Sequence, residues 1–378
     1  MTGSAVTSIL DTGVKLVKNV GSLNYGCGSL AELPRHVDLR RANASGANRD
    51  SRVLYIVDEF FANRPETLSR LEARPDDRVE FVSTCDEPDT SAIDERVAGL
   101  IAAGFSAPAT IVGVGGGVTL DTAKAVANLL TNHGRAEQYQ GWDLVKVPGI
   151  HKIGVPTISG TGAEATRTCV MTNTRTKLKL GMNSDHTVFD HLILDPDLTA
   201  TVPRNQYFYT GMDAYIHCVE TLAGSYRNAV GDAYSRETLR LCREVFLGDD
   251  MMSAGSRAQL MVASYLGGCA VATSYVGVVH PLSAGLSVVL GLHHCVANCI
   301  VMRAMGEFYP EARDEFQSMA DCQGVAIPEG VARGLSDGQY RALYDATVIH
   351  EKPLTNALGS GYRDVLTFEK AVALFEAM

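Results

Sequence analysis

The stretch TIVGVGGGVTLDTAKAVANLL, residues 110–130, decides the fold. It opens as an apolar run, passes through GVGGG at 113–117, and continues with apolar residues at helical spacing. Strand, glycine turn and helix in that order make half of a β-α unit. Glycines let a backbone approach a pyrophosphate, and a helix N-terminus offers free N–H groups and positive potential. The phase is not GxGxxG, so a plain tight strand–helix turn is the competing reading. Asp121 and Lys124 follow on the helix, where surface positions are equally open to them.

Working outward, the same alternation recurs upstream. VLYIVD, residues 53–58, is a compact apolar run that reads as a buried parallel strand. RPETLSRLEA follows as an amphipathic helix, VEFVS (79–83) as a strand, and TSAIDERVAGLIAAG (90–104) as a helix closed by Gly. Before them lie a short strand-like start, the turn YGCGSL, and HVDLRRANASGANRDSR, a helix end with a loop. This pattern predicts a parallel, doubly wound sheet. After residue 150 come short strands in KIGVPTI, TRTCVMT, KLKLGMN and HLILD. TATVPRNQ, residues 199–206, reads as a joint. Beyond it helices are expected at 206–224, 230–247, 256–276, 278–308 and 310–324, and in SDGQYRALYDATV and TFEKAVALFEAM. The fold class is an α/β Rossmann-like domain over 1–203 followed by an all-helical domain over 204–378.

The composition is that of an ordinary globular protein, 46% hydrophobic and 20% charged. A net charge of −10 argues against a nucleic-acid partner. The 9 Cys are scattered without CxxC pairs, which fits free thiols in a reducing cytoplasm. MTGSAVTSILDTGVKLVKNV lacks the basic start and apolar run of a leader. Residues 101–118 are apolar but interrupted by Gly, Ser and Pro108, so no membrane span is expected.

GMDAYIHCVE, residues 211–220, sets Asp213 and His217 one helical turn apart on one face. VVHPLSAGLSVVLGLHHC adds His280 and His294. Three imidazoles and a carboxylate suit a borderline divalent ion, Fe(II) or Zn(II). Fourteen residues of unbroken helix would hold the two later histidines about 21 Å apart. If both bind one ion, the chain must fold back between them, and Gly285 and Gly291 lie in that interval. Read alone, Asp213 and His217 are also compatible with ordinary helix positions.

Other residues invite roles in the cleft between the halves. Asp58 ends its strand, where an acid accepts hydrogen bonds from an adenosine ribose and repels a 2′-phosphate. That favours NAD over NADP, although an acid in an exposed loop reads the same way. Thr157, Thr161 and Gly162 in PTISGTGAEATRT can wrap phosphate or nicotinamide. Arg167 is open to an acidic substrate or to a structural ion pair. Lys179 sits in a strand whose alternation can simply point it outward.

These pieces in this order resemble the iron-containing, group III alcohol dehydrogenase family, over roughly residues 20–310. The carriers are GVGGGVTLDTAKAVA, VPTISGTGAEATR, DPDL at 195–198, and Asp213, His217, His280 and His294. The resemblance implies a Rossmann-like domain, a helical domain, one divalent metal held by those four residues, and a nicotinamide dinucleotide. By position it implies cofactor contacts from Asp58, Gly115, Gly116, Gly117, Asp121, Thr157, Thr161 and Lys179. Two departures stand out. The family's Ser after the three glycines is Val118, and a His four residues after the third ligand, held to relay a proton, is Ala284. YQGWDLVK, GMNSD, GMDAYIHCVETL, LCREVFLGDD and NALG look like the subfamily that oxidises the C8 hydroxyl of 3-deoxy-D-manno-octulosonate (Kdo). That group implies an aldehyde product, a partner aminotransferase, and either NAD or oxygen as final acceptor. Family members commonly form homodimers.

The implied reaction is oxidation of a primary alcohol in a small polyol or sugar acid, with metal Lewis acidity and hydride transfer to NAD. Besides a non-catalytic metal-binding protein, which Val118 and Ala284 make conceivable, two alternatives remain at this stage. One is reduction of a small or phosphonate-bearing aldehyde. The other is a lyase or cyclase of the dehydroquinate-synthase type, which normally uses a Glu and two His.

Overall fold

Among the described residues, nine strands carry the first half of the chain: β1 Ser22–Tyr25, β2 Val53–Asp58, β3 Arg78–Val82, β4 Thr110–Gly115, β5 Gly141–Trp142, β6 Lys152–Pro156, β7 Thr168–Thr172, β8 Lys179–Asn183 and β9 His191–Leu194. The structure, a computed structural model, describes residues 17–378 except 46–49 and 86. Most of the N-terminal stretch read above for a leader lies outside the described residues. Among the described residues no single helix is long and apolar enough to cross a membrane.

Six strands form one sheet in the order β1-β9-β6-β4-β2-β3, every pair parallel. The alternation of β2 explains its double burial. Val53, Tyr55 and Val57 face the helix Leu33–Ser45 through Leu33 and Val37. Leu54 and Ile56 face the other layer, with Ile93, Val97 and Leu100 of helix Thr90–Ala102 and Leu120 and Ala123 of helix Gly117–Leu129. The chain leaves β2 toward β3 on one side and leaves β4 toward β6 on the other. The carboxyl ends of β2 and β4 are therefore a switch point, where such sheets open a crevice.

In and around the first half, and near the C-terminus, three features differ from the sequence expectation, and a fourth lies in the helical half. The strands β5, β8 and β7 form a separate small sheet with β7 and β8 antiparallel. The helix expected in RPETLSRLEA shrinks to Pro65–Leu68 and a 3-10 turn, Ser69–Leu71. EKPLTNAL forms an unforeseen helix, Glu351–Leu358, because its proline falls in the first turn, where no intrahelical N–H is needed.

From Arg204 onward the chain is helical. Helix Arg204–Ala223 runs through the core of this half, packed by Ala229–Phe246, Ala254–Ser274 and His294–Arg303. The span expected as one helix over 278–308 breaks into Val279–Leu290 and His294–Arg303. Gly291 makes that break with φ 68°. Gly285 stays inside the helix, where a Cβ would lie 3.0 Å from Leu343 O.

The two halves meet through backbone. A Cβ on Gly162, at φ 64°, would lie 2.6 Å from Gly268 Cα. A Cβ on Gly160 would lie 1.6 Å from the carbonyl oxygen of Thr210. Ser264 ties the same loop down: its Oγ accepts from Gly160 N at 2.7 Å and donates to Glu164 Oε1 at 2.7 Å. A methyl group on Gly268 would meet Gly162 O at 2.5 Å and Ala165 Cβ at 2.9 Å, with no flexible atom to yield. Gly268→Ala should therefore cost about 2 kcal/mol or more. Urea unfolding checks this, and an unchanged midpoint would contradict the close approach.

Candidate active site

The helix Arg204–Ala223 places Asp213, His217 and Glu220 on one face. Because Val279–Leu290 and His294–Arg303 fold back at Gly291, His280 and His294 converge on Asp213. His280 Nε2 lies 3.3 Å from Asp213 Oδ1, and His294 Nε2 lies 3.7 Å from Oδ2. One ligand atom from each of these three residues falls within 4.8 Å of the others. His217 stands at the edge of the group, its Nε2 3.5 Å from Asp213 Oδ1 and its ring stacked on His280 at 4.7 Å.

These separations suit a single ion. Four ligands about 2.1 Å from a tetrahedral centre lie roughly 3.4 Å from one another. The amide nitrogen of Asn298 approaches Asp213 Oδ1 at 2.7 Å and both His280 Nε2 and His294 Nε2 at 3.3 Å. A partly positive N–H group thus stands close to three of the four donors, in surroundings that would favour a cation.

The electrostatics agree. Burial works to raise the Asp213 carboxyl, but His217, His294 and His280 hold it well below the usual carboxylate range. Burial pushes His217 down to about 4, so its ring is neutral and its lone pair available. Burial and then Lys179 push His294 down to about 3. His280 moves the other way. Against burial, Glu220 and Asp213 raise it to about 9.

Glu220 is the residue that spacing alone did not single out. Its Oε2 hydrogen-bonds His280 Nδ1 and its Oε1 accepts from Val279 N at 2.5 Å. A carboxylate on Nδ1 fixes the tautomer and leaves Nε2 facing Asp213. The signal was present in GMDAYIHCVE, since Glu220 is seven residues after Asp213 on the same face. Asn298, four residues after His294, carried the same kind of signal.

The cofactor candidates divide into two groups. Asp58, Gly115, Gly116, Gly117, Thr157 and Thr161 lie together at the switch point. A Cβ on Gly115 would come within 3.0 Å of Asp58 Cβ, one on Gly116 within 2.9 Å of Ile158, and one on Gly117 within 3.5 Å of Thr161. Thr157 N donates to Gly115 O at 3.1 Å. Gly116 caps the helix with no side-chain hydrogen bond, so its first N–H groups face the crevice without a side-chain acceptor. Asp58 accepts from Phe60 N at 2.9 Å, and burial raises its carboxyl.

Asp121 and Lys179 stand apart from that group. Asp121 turns inward, accepting from Val170 N at 2.9 Å, with Lys124 Nζ at 3.4 Å. Lys124 is fully buried and donates to Thr168 O at 2.8 Å. Lys179 is buried rather than outward, paired with Glu87 at 2.8 Å. Burial works to raise Glu87, but Lys179 and then His294 bring it down to about 2. Nothing in the sequence marked Glu87, whose partner lies 92 residues away. Arg167 takes the structural alternative, paired with Asp185 at 3.0 Å and with Asp143.

The sequence model described as "Iron-containing alcohol dehydrogenase" matches residues 22–196, and that of the "Fe-containing alcohol dehydrogenase family, C-terminal" matches 207–336. The chain is 34% identical over 191 residues to a sulfoacetaldehyde reductase of Bilophila wadsworthia, covering 50% of this chain and 49% of that one. It is 30% identical over 223 residues to an NAD-dependent methanol dehydrogenase of Bacillus methanolicus, covering 57% and 58%. The chain thus spans about half the length of the curated relatives it matches. A solved 1,3-propanediol oxidoreductase superposes with TM-score 0.78 at 21% identity, covering 96% and 99% of the two chains. A sulfoacetaldehyde reductase from Bifidobacterium kashiwanohense, solved in complex with NAD+, gives 0.76 at 19%, covering 96% and 98%. At these identities the structures share the fold.

Glu220→Gln keeps the shape but weakens the hold on His280 Nδ1. Affinity for Fe(II) or Zn(II) should fall about 10- to 100-fold by metal titration. Affinity equal to wild type would remove Glu220 from the site.

Proposed function

Because the chain belongs to the iron-containing alcohol dehydrogenase family, we propose that it is a metal- and NAD-dependent oxidoreductase acting on the primary hydroxyl of a sugar acid or related polyol, with the C8 hydroxyl of Kdo as first candidate. The observation that carries this reading is the convergence of Asp213, His280 and His294, with His217 beside them, in the half facing the glycine loop. The Kdo assignment is supported by the resemblance in YQGWDLVK, GMNSD and NALG.

In this reading Asp213, His217, His280 and His294 hold a divalent metal, iron or zinc. When bound there it supplies Lewis acidity toward the reacting hydroxyl. A nicotinamide dinucleotide in the crevice supplies the hydride acceptor. Gly115, Gly116 and Gly117 let the pyrophosphate approach the backbone, and the open helix N-terminus holds its charge. Asp58 takes the adenosine ribose, while Thr157 and Thr161 line the path toward the metal ligands. Lys179, fixed by Glu87, reaches toward the nicotinamide end, and Asp121 supports that wall from behind through β7. Glu220 keeps His280 in one tautomer. Ala284 is buried and carries no proton acceptor, so the hydroxyl proton leaves by another route. A helical domain beginning near residue 204, a homodimer, a cytoplasmic setting and an aminotransferase that consumes the aldehyde belong to the same proposal.

A second reading runs the reaction as reduction of a small anionic aldehyde. It is favoured by the relative named sulfoacetaldehyde reductase. A cyclase of the dehydroquinate-synthase type is not carried forward, because one Asp with three His replaces its Glu and two His.

The test is anaerobic incubation of metal-reconstituted protein with NAD and Kdo, following NADH absorbance and trapping aldehyde. Both signals are expected. Aldehyde only after air is admitted would replace NAD by oxygen as acceptor. Neither signal, with NADH consumed on sulfoacetaldehyde, would favour the reductive reading. His217→Ala should lower turnover at least about 100-fold with loss of bound metal. Full metal-dependent turnover in that variant would sink the ligand assignment.

A further inference from the structure

Lys352 lies in helix Glu351–Leu358, four residues before the NALG stretch. Its ammonium donates to Tyr275 OH at 2.9 Å. It lies 3.8 Å from the centre of the Trp142 ring and 4.0 Å from that of Tyr275. Lys179, Arg167 and Arg227 each face a carboxylate. Lys352 has no carboxylate within ion-pair distance among the described residues. Aromatic faces stabilise a cation without neutralising it. The charge therefore stays available to an incoming anion.

The seat is held by strained backbone. Four non-glycine residues among those described have positive φ, and two of them belong here, Tyr275 at 61° and Asp143 at 55°. Such strain persists only where surrounding contacts enforce it. Asn356 Nδ2 donates to the carbonyls of Ser274, Tyr275 and Val276 at 3.1, 3.3 and 3.0 Å. Arg167 holds Asp143, and with it the neighbouring Trp142. Trp142 is 40% exposed, so the seat opens to solvent.

Position links the seat to the reaction. Trp142 comes from the α/β half, Tyr275 and Lys352 from the helical half. Tyr275 is five residues before His280. A Cβ on Gly277, between them, would touch both Glu220 Oε1 at 3.2 Å and Ala357 of the Lys352 helix at 3.4 Å. Strand β8 leads from Lys179 to Asn183, the residue paired with Trp142, a distance of about 13 Å.

We propose that Lys352, seated between Trp142 and Tyr275, is a specificity-determining anchor for the carboxylate end of the substrate, several carbons from the hydroxyl that reacts. This rests on the reading of the metal and nicotinamide site above. It assigns to Lys352 the part that Arg167, already paired with Asp143 and Asp185, is not free to take.

Trp142 is the single tryptophan of the chain, so its emission reports on the seat directly. Metal-loaded wild type, Lys352→Met and Lys352→Arg are titrated with Kdo and with Kdo methyl ester, identical but for the charge at C1. Emission gives affinity, and NADH formation gives kcat and KM. A saturable emission change with Kdo is expected, with the ester binding at least tenfold more weakly. Lys352→Met should reduce the preference for acid over ester at least tenfold, through KM, and Lys352→Arg should restore most of it. An equal loss on both ligands in Lys352→Met would make Lys352 a brace and overturn the proposal. So would the lack of any Lys352-dependent emission change with Kdo, 4-hydroxybutyrate and 6-hydroxyhexanoate. A Lys352-dependent emission change without turnover would keep the anchor and bring down the oxidation of Kdo instead.

Discussion

The architecture depends on a contact in which two backbones touch with no side chain between them. Gly162 lies against Gly268, and Gly160 against the carbonyl of Thr210. Any Cβ there would overlap atoms that cannot move aside, so the distance between the halves is fixed by the chain itself. The loop that makes this contact begins at Thr157, whose N–H binds Gly115 of the glycine turn. It ends on a helix in which Thr210 stands one turn before Asp213. One short segment therefore spans from the glycine turn to the helix of the first metal-ligand candidate. Displacing either end would displace the other.

Within that frame the charge balance of the buried site is the demanding part. Asp213 and Glu220 are both fully buried, and a buried carboxylate is costly unless it is paired. The surroundings offer imidazoles rather than lysine or arginine. His217 and His294 are held neutral by burial, so the positive charge facing the two carboxylates falls on His280. A divalent cation among the same donors answers the same need, and neutral imidazoles are the form in which histidine binds metal. Lys179 pairs with Glu87 at 2.8 Å, and its charge adds to burial in holding His294 neutral.

What was legible in the sequence was periodic or local. The run before the three glycines read as a strand and the residues after them as a helix, which is what β4 and helix Gly117–Leu129 are. The requirement that His280 and His294 meet implied a reversal, and Gly291 supplies it. The small sheet of β5, β7 and β8 was less visible, because β5 joins the local β7–β8 hairpin from some 40 residues away. Glu220 stood inside the stretch already under scrutiny, yet its role needs His280 in place, 60 residues on. Lys352 and Glu87 acquire meaning only from partners that the tertiary fold brings to them. Arg167 looked free for the converse reason, since the carboxylates that occupy it lie 24 residues before it and 18 residues after it.

Val118 bears on how the phosphates are held in the proposed reading. The helix that receives the pyrophosphate is capped by Gly116 without any side-chain hydrogen bond, and Val118 offers none. Recognition at the phosphates then falls to main-chain N–H groups and the helix dipole. Those groups respond to negative charge and shape, and both nicotinamide dinucleotides present the same pyrophosphate. Discrimination must therefore arise elsewhere in the crevice. Asp58 is placed for it, its Cβ 3.0 Å from where a side chain on Gly115 would begin. Its Oδ1 already accepts from Phe60 N, which fixes the carboxylate rather than leaving it to swing away. A fixed negative charge at that point accepts ribose hydroxyls and opposes a 2′-phosphate. In the proposed reading the choice of NAD over NADP therefore rests on Asp58, whatever residue stands at 118.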